Sequence, residues 1–191
     1  LGASIVFLRQ NWFAEIGTEL AREYKAISGS AEELKLCYIP SQDILAGMTL
    51  MSPTQDDIRL ALAEKLARHF YEEVDRREAF IGPHRDDWTA ALDSRSLGKY
   101  GSQGENRSTI IALKLAQLKL YARKYARTPL FLLDDVASEL DEHRCRYLFS
   151  YLCDESAQVF MTTTGNELVR EGFAGRSRAF LVERGKIGVM G

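Results

Sequence analysis

The sequence predicts an α/β protein whose carboxyl-terminal part alternates strands with helices. Three observations favour this class: helix periodicity early in the chain, strand and helix patterns that alternate after Phe80, and an apolar run that ends in two carboxylates. Strands that alternate with helices typically form a parallel sheet with helices packed against its faces. We therefore expect a mainly helical segment over residues 1–78, followed by an α/β unit over residues 79–191.

The first 78 residues carry two helix patterns with a strand pattern between them. Apolar residues recur near a spacing of 3.6 in both helices, and Ser28-Gly29-Ser30 ends the first one. Glu33–Ile39 alternates like a strand and stops before Pro40. The elements expected here are a helix over 1–27, a strand over 33–39, a turn-rich loop over 41–54 and a helix over 56–77.

The second part of the chain opens with a rigid polar turn over residues 81–87. A long helix follows and is ended by Thr128-Pro129, and Arg184-Gly185 connects the last two strands. The expected strands cover 88–92, 130–133, 158–163, 179–183 and 186–190, and the expected helices cover 105–127 and 142–152. The strand over 130–133 is all apolar, which is typical of a strand buried on both faces.

The composition is that of an ordinary globular chain: 46% of the 191 residues are hydrophobic, 27% are charged and the formal net charge is −2. This balance does not indicate a uniformly basic nucleic-acid binder, although it is compatible with a local basic face. The three cysteines lack CxxC spacing, which disfavours disulfides and zinc and fits a reducing cytoplasm. The chain has no transmembrane run and no signal-peptide pattern, and its first residue, Leu1, leads us to expect a piece of a longer protein.

Two adjacent carboxylates, Asp134 and Asp135, follow the apolar run. In an open parallel sheet, ligands gather beyond the carboxyl ends of the strands. One carboxylate at that edge can hold Mg²⁺, which prefers hard oxygen ligands and keeps several waters, and the next can polarise an attacking water. A strand that simply ends in a polar turn gives the same pattern. This segment alone therefore leaves both interpretations open.

The segment GSQGE, residues 101–105, precedes the longest helix pattern. Ser102 and Glu105 form the S-x-x-E pattern of a capping box, which is a structural device. Gly101 and Gly104 are poor helix formers, each costing roughly 0.8–1.0 kcal/mol relative to alanine inside a helix. Glycines at a helix start also let an anion approach the exposed N–H groups and the positive end of the helix dipole. The two interpretations are compatible with each other.

Taken together, these segments resemble the ABC-type ATPases, within them the DNA-repair branch that contains Rad50 and the SMC proteins, and most closely RecF. Four ordered motifs between Phe80 and Thr164 carry the resemblance: the turn IGPHRDDW, the signature-like GSQGENR, the Walker B-like LFLLDDV and the D-loop-like SELD. The resemblance implies that residues 79–191 are the carboxyl-terminal half of an ABC ATPase head, preceded by the end of a helical arm domain. It also implies ATP and Mg²⁺ as cofactors.

The resemblance gives each motif residue an expected role. Asp134 stands where the family has its magnesium-associated acid, and Asp135 where it has the general base. In the family, two protomers sandwich two ATP molecules, and each signature reads the γ-phosphate held by the other subunit. The matching positions are Ser102, Gln103, Gly104 and Glu105 of the signature and Ser138 and Asp141 of the D-loop.

The chain departs from the family pattern in three respects. It contains no G-x-x-x-x-G-K-[ST] P-loop, so these 191 residues alone are expected to be inactive. Three threonines, Thr162, Thr163 and Thr164, lie where many relatives have a switch histidine, and we take Thr164 as the candidate switch. A hydroxyl there can hydrogen-bond but cannot titrate near neutrality. Asp135 replaces the commoner Glu, and we expect slow hydrolysis.

By resemblance, the expected function is ATP-dependent DNA binding in recombinational repair, linked to DNA replication and the SOS response in the bacterial cytoplasm. The implied partners are DNA with single-strand gaps or single–double-strand junctions, RecO- and RecR-type mediators, a RecA-type recombinase and a second copy in an ATP-dependent homodimer. No membrane is implied. The alternatives are an SMC- or Rad50-like ATPase and a non-catalytic, nucleotide-responsive binding module.

Other basic residues have weaker assignments. His84 and Arg85, in the rigid turn, could contact nucleotide or transmit its state, or they could simply build the turn. Arg107, one turn into the long helix, could aid the phosphate or lie on the surface. The same helix carries a row of basic residues in which Lys119 and Arg123 are candidates for contacts with DNA phosphates, against the alternative of a solvated face.

Overall fold

The computed structural model describes residues 1–41, 44, 53–135, 140–154, 158–164, 171–173 and 176–189. The helices are α1 Gly2–Ser28, α2 Gln55–Arg76, α3 Leu97–Tyr100, α4 Gln103–Tyr125 and α5 Glu142–Asp154, with a 3-10 turn at Pro83–Arg85. The strands are β1 Leu34–Ile39, β2 Asp87–Leu92, β3 Arg95–Ser96, β4 Phe131–Leu133, β5 Val159–Met161, β6 Phe180–Glu183 and β7 Lys186–Val189. The predicted helices and strands are all present, while the loop predicted over 41–54 lies mostly outside the described residues.

Local sequence explains where two of the long helices begin and end. Gly29 has a φ of 64° and closes α1 by donating its N–H to the carbonyl of Lys25 at 3.0 Å. This left-handed conformation is available to glycine without a Cβ penalty. Thr54 and Asp57 form a capping box at the start of α2.

The described strands form three small sheets. β1, β2 and β3 pair antiparallel, β4 and β5 pair parallel with Leu133 opposite Met161, and β6 and β7 form an antiparallel hairpin. The prediction of parallel strands after Phe80 is therefore met by β4 and β5, whereas β2 pairs with β1. Antiparallel pairing suits β1 because its side chains alternate between a core face and a solvent face.

The apolar sequence of β4 predicts a strand that is buried on both faces, but the structure leaves one of its faces exposed. Phe131 and Leu133 are half-buried against the main core, but Leu132 on the opposite face is 70% exposed. Phe160 on the neighbouring strand β5 is also exposed. An apolar run shows that a strand can be buried on both sides, and the covering elements decide whether it is.

The helix α1 joins two apolar cores. Its carboxyl-terminal half contributes Leu20 and Tyr24 to the main core, which also contains residues of α4, α5, β1 and β2. Its first turns contribute Val6 to a smaller core shared with Ile58 of α2 and with Ile81. The division of the chain after residue 78 stays a prediction, and α1 packs against segments on both sides of it.

The helix α2 is buried along only part of its predicted apolar face. Ile58 and Leu62 lie in the smaller core, while Leu66, Phe70 and Val74 on the same face are exposed. The periodicity predicted the stripe, but the described elements cover only its first two turns. None of the described helices combines the length and hydropathy needed to cross a membrane.

Candidate functional site

The start of α4 carries the capping box that the sequence predicts. The Ser102 hydroxyl accepts the backbone N–H of Glu105 at 3.2 Å, and a Glu105 carboxylate oxygen accepts the backbone N–H of Ser102 at 2.7 Å. The N–H groups of Gln103 and Gly104 lie in the same first turn, where α-helix geometry supplies no acceptor. The first turn therefore offers anion-binding donors beside a fixed cap.

The Glu105 carboxylate is held by a residue that the sequence did not single out. Arg95 of β3 donates to the two carboxylate oxygens at 2.6 and 3.2 Å, and it donates to the carbonyl of Tyr100 at 3.0 Å. The hydrogen bond from Arg95 lowers the pKa of Glu105 to about 2, with a further contribution from the N–H of Ser102. A carboxylate so close to the helix start would repel a phosphate, and Arg95 offsets that charge.

The pairing with Arg95 makes a prediction about acid stability. Because the folded pKa of Glu105, about 2, lies below its ordinary value of 4.5, its stabilisation is complete above about pH 4.5 and is lost as the pH falls towards 2. Glu105→Gln keeps a capping side chain but loses the charge. We expect the variant to be less stable than the wild type at pH 7, with the difference shrinking below pH 4.5. Urea unfolding at several pH values measures this, with exposed Glu33→Gln as the control, and a pH-independent difference for Glu105→Gln would contradict it.

The two glycines before and within the first turn of α4 have different surroundings. A Cβ at Gly101 would lie 2.5 Å from the carbonyl oxygen of Leu97 and 3.0 Å from the side chain of Asn106. Among the described residues, a Cβ at Gly104 would meet only the Arg144 guanidinium, at 3.8 Å and beyond. Close packing therefore explains Gly101, whereas packing does not require glycine at Gly104.

Arg144 brings a positive charge from α5 to the first turn of α4. Its backbone N–H donates at 3.0 Å to Asp141, which precedes α5, and its guanidinium forms an ion pair with the same carboxylate. The hydrogen bond from the Arg144 backbone lowers the pKa of Asp141. Asp141, predicted as a D-loop residue, thus caps α5 and anchors the arginine nearest Gly104, while Ser138 lies outside the described residues.

The second cluster lies where the parallel strands β4 and β5 end. Asp134 and Asp135 follow β4, and Thr162 follows β5. The Thr162 hydroxyl donates to a carboxylate oxygen of Asp134, and the backbone N–H of Asp135 donates to the Thr162 hydroxyl at 3.0 Å and to the Thr162 carbonyl at 3.1 Å. Asp135 has a φ of 46°, a left-handed conformation that costs of order 1–3 kcal/mol at a residue other than glycine.

The oxygen ligands at this edge of the sheet fit a magnesium ion. Asp134 is exposed and presents hard carboxylate oxygens next to a hydroxyl. Within the described ranges, no group of three or more His, Cys, Asp or Glu side chains is arranged to hold a metal. Mg²⁺ commonly takes one or two carboxylates and completes its octahedron with water and substrate phosphates, so a protein cage is not required.

The remaining predicted residues have other surroundings. The His84 ring contacts the carbonyl of Ala79 at 2.8 Å, and Arg85 pairs with Glu78. These are the contacts of a structural turn, and a nucleotide role for His84 and Arg85 stays a prediction, as it does for half-buried Arg107. Thr164 is exposed, and its role as a switch stays a prediction. The Thr162 hydroxyl contacts the Asp134 carboxylate and the backbone N–H of Asp135.

The structure gives Lys119 partners within the protein, and a contact of Lys119 with DNA stays a prediction. Its ammonium group lies 2.5 Å from a carboxylate oxygen of Glu23 and 3.7 Å from one of Glu19, and both acids are buried on α1. Arg123 lies 3.6 Å from Glu15 on the same helix. The sequence of α4 alone could not reveal these partners, because they come from a helix about 100 residues earlier.

The chain is similar to bacterial proteins named DNA replication and repair protein RecF. It is 35% identical to that of Geotalea daltonii over 186 residues, which is 97% of this chain and 50% of the relative. It is 37% identical to that of Anaeromyxobacter sp. strain Fw109-5 over 188 residues, 97% of this chain and 49% of the relative. The chain is homologous to about half of RecF. No family model matches it.

Solved structures give the same relationship for the fold. A structure of the recombination mediator protein RecF-ATP in the RecFOR pathway matches with a TM-score of 0.80 and 26% identity, covering 100% of this chain and 47% of that one. The structure described as RecF-ATPrS in that pathway matches with a TM-score of 0.79. An SMC ATPase structure matches at a TM-score of 0.52 and 14% identity, which shows the fold alone. The predicted fold class, a carboxyl-terminal half of an ABC-type ATPase head, is thereby confirmed.

Proposed function

We propose that this chain is the half of a RecF-like, ATP-dependent DNA-repair protein that binds the γ-phosphate of a nucleotide held by another copy. The observation that carries the proposal is the start of α4. Its first turn is capped, and Gly104 leaves space among the described residues. Arg95 balances the charge of the Glu105 carboxylate, and Arg144 lies beside Gly104. A phosphate would meet backbone N–H groups, the positive end of the helix dipole and a guanidinium. The ligand we assign to this turn is the γ-phosphate of ATP held by a second copy of the protein.

The second cluster supplies the hydrolytic groups in this proposal. Asp135 would polarise the attacking water for the nucleotide held by its own subunit. Asp134 would hold Mg²⁺, which when bound neutralises charge on the nucleotide phosphates. The position of Asp135 at the carboxyl end of β4 supports its assignment, since ligands gather at that edge of a parallel sheet. The short acid suits slow hydrolysis and a switch rather than a motor.

The wider role follows from the relatives. Their name, DNA replication and repair protein, and the RecFOR pathway of the solved structures support a function in recombinational repair. We propose that ATP closes a homodimer on DNA near single-strand gaps or junctions in the bacterial cytoplasm, where RecO- and RecR-type mediators and a RecA-type recombinase are the partners. The chain spans about half the length of the relatives it matches, so these activities belong to the whole protein.

A second candidate is a module that binds nucleotide without hydrolysing it. Asp135→Asn in the full-length protein separates the two candidates, because it removes the base while nearly preserving shape. We expect the variant to accumulate a nucleotide-bound dimer that outlasts the wild-type dimer, measured by size-exclusion chromatography with light scattering in the presence of ATP. Exposed Asp154→Asn, at the end of α5, is the matched control. An Asp135→Asn protein that dimerises no better with ATP than the wild type would count against hydrolysis at this residue.

A further inference from the structure

Strand pairing places Thr162 beside Asp134 and Asp135, the two acids that follow β4. Phe131, Leu132 and Leu133 pair in register with Val159, Phe160 and Met161. The backbone continues this pairing beyond the strands. The N–H of Thr162 donates to the carbonyl of Leu133 at 2.9 Å, and the carbonyl of Thr162 accepts the N–H of Asp135 at 3.1 Å. Thr162 is therefore fixed next to Asp134 by main-chain bonds that do not depend on its side chain.

The Thr162 hydroxyl makes two further hydrogen bonds, one as a donor and one as an acceptor. It has one proton and donates it to a carboxylate oxygen of Asp134, and one of its lone pairs accepts the N–H of Asp135 at 3.0 Å. The donated bond helps to fix the orientation of the Asp134 carboxylate. The accepted bond helps to hold Asp135 at its positive φ of 46°.

We infer that Thr162 is the positioning residue that aligns Asp134 for a divalent cation and holds Asp135 in its strained conformation. The inference rests on the proposed function of this edge. Thr162 acts through its bonds to the Asp134 carboxylate and to the Asp135 backbone, since its hydroxyl proton is already donated to Asp134. Groups that orient a metal ligand by hydrogen bonding typically account for about 10–100-fold in metal affinity or activity.

The test uses three variants of the full-length protein. Thr162→Val keeps the β-branched shape and the main-chain bonds but loses the hydroxyl, Thr162→Ser keeps the hydroxyl, and exposed Thr128→Val is the matched control. The readouts are Mn²⁺ binding in the presence of ATP, followed by electron paramagnetic resonance, and the Mg²⁺ concentration that half-saturates ATP-dependent dimerisation. We expect Thr162→Val to need about tenfold more cation, with Thr162→Ser and Thr128→Val near the wild type.

A second measurement separates positioning from a general structural effect. If Thr162 acts through Asp134, Thr162→Val should weaken Mn²⁺ binding no further in a protein that already carries Asp134→Asn. Equal cation requirements for the wild type and Thr162→Val, or equal losses for Thr162→Val and Thr162→Ser, would overturn the inference. A wild type that shows no response to ATP and Mg²⁺ would instead overturn the proposed function, and this inference with it.

Discussion

Replacing Lys119 with methionine should lower the free energy of unfolding by about 2–4 kcal/mol. The change leaves the Glu23 carboxylate, whose side chain is only 3% exposed, without its cationic partner in the protein interior. Removing one member of a fully buried pair typically costs about 3–5 kcal/mol. We expect a somewhat smaller value here because the Lys119 side chain is 32% exposed.

The surroundings of Glu23 explain why another group cannot replace the lysine. Tyr147 of α5 donates its hydroxyl to Glu23 at 3.3 Å, and burial together with Glu23 raises the pKa of Tyr147 to about 12. A neutral hydroxyl can solvate the carboxylate in part but cannot balance its charge. Glu19 adds a second buried acid to the same face of α1, so the loss of Lys119 leaves two acids close together.

Urea unfolding of Lys119→Met and Arg123→Met measures the effect with a control on the same helix. Arg123 and Glu15 are both more than half exposed, so their ion pair should contribute less than about 1 kcal/mol. Adding Glu23→Gln to Lys119→Met should recover part of the lost stability, because the uncompensated charge is removed. Equal effects of Lys119→Met and Arg123→Met would show that the buried pair is not important. Tests of DNA binding by α4 should therefore avoid Lys119 and use the exposed Arg123 and Lys124.

Gly104→Ala should leave the fold intact and reduce ATP hydrolysis by the full-length protein by about 100-fold. The added methyl group meets no atom of the described part of the chain closer than 3.8 Å, and alanine is the better helix former, so stability should hold or rise slightly. The same methyl group stands over the first turn of α4, where a phosphate must approach the N–H groups closely. Small displacements of a reacting group can have effects of this size.

Gly101→Ala is the matched control for this prediction. Its methyl group would lie 2.5 Å from the carbonyl oxygen of Leu97, so the chain must shift and stability should fall. If Gly104 serves a ligand, Gly104→Ala should lose ATP turnover without losing thermal stability. Gly101→Ala should show the opposite, a loss of thermal stability without a comparable loss of turnover. A Gly104→Ala protein with wild-type turnover would contradict the assignment of the first turn as a phosphate site.

Local sequence was sufficient for the parts of the site that depend on neighbouring residues. The Ser102–Glu105 cap follows from a fixed spacing and helix geometry, and the structure contains it as predicted. The carboxylates after β4 were likewise predicted from an apolar run and the chemistry of strand ends. These features depend on contacts within one element, which a single sequence records directly.

Long-range contacts explain what the sequence could not predict. Arg95 meets Glu105 because the short strand β3 ends beside the start of α4, and no spacing rule marks that pair. The sequence of α4 does not show that Lys119 pairs with a buried acid, because Glu23 lies on a distant helix. Among the three consecutive threonines, only the register of β5 against β4 identifies Thr162 as the one that contacts Asp134.

Mixing two inactive variants tests most directly whether α4 reads the nucleotide of another copy. Full-length Gly104→Ala and Asp135→Asn proteins are combined before ATP is added, and hydrolysis is compared with that of each alone. A mixed dimer joins the intact α4 of one copy to the intact Asp135 of the other and so contains one complete site. Random pairing then predicts about a quarter of the wild-type activity. A mixture no more active than the sum of its two components would contradict the account.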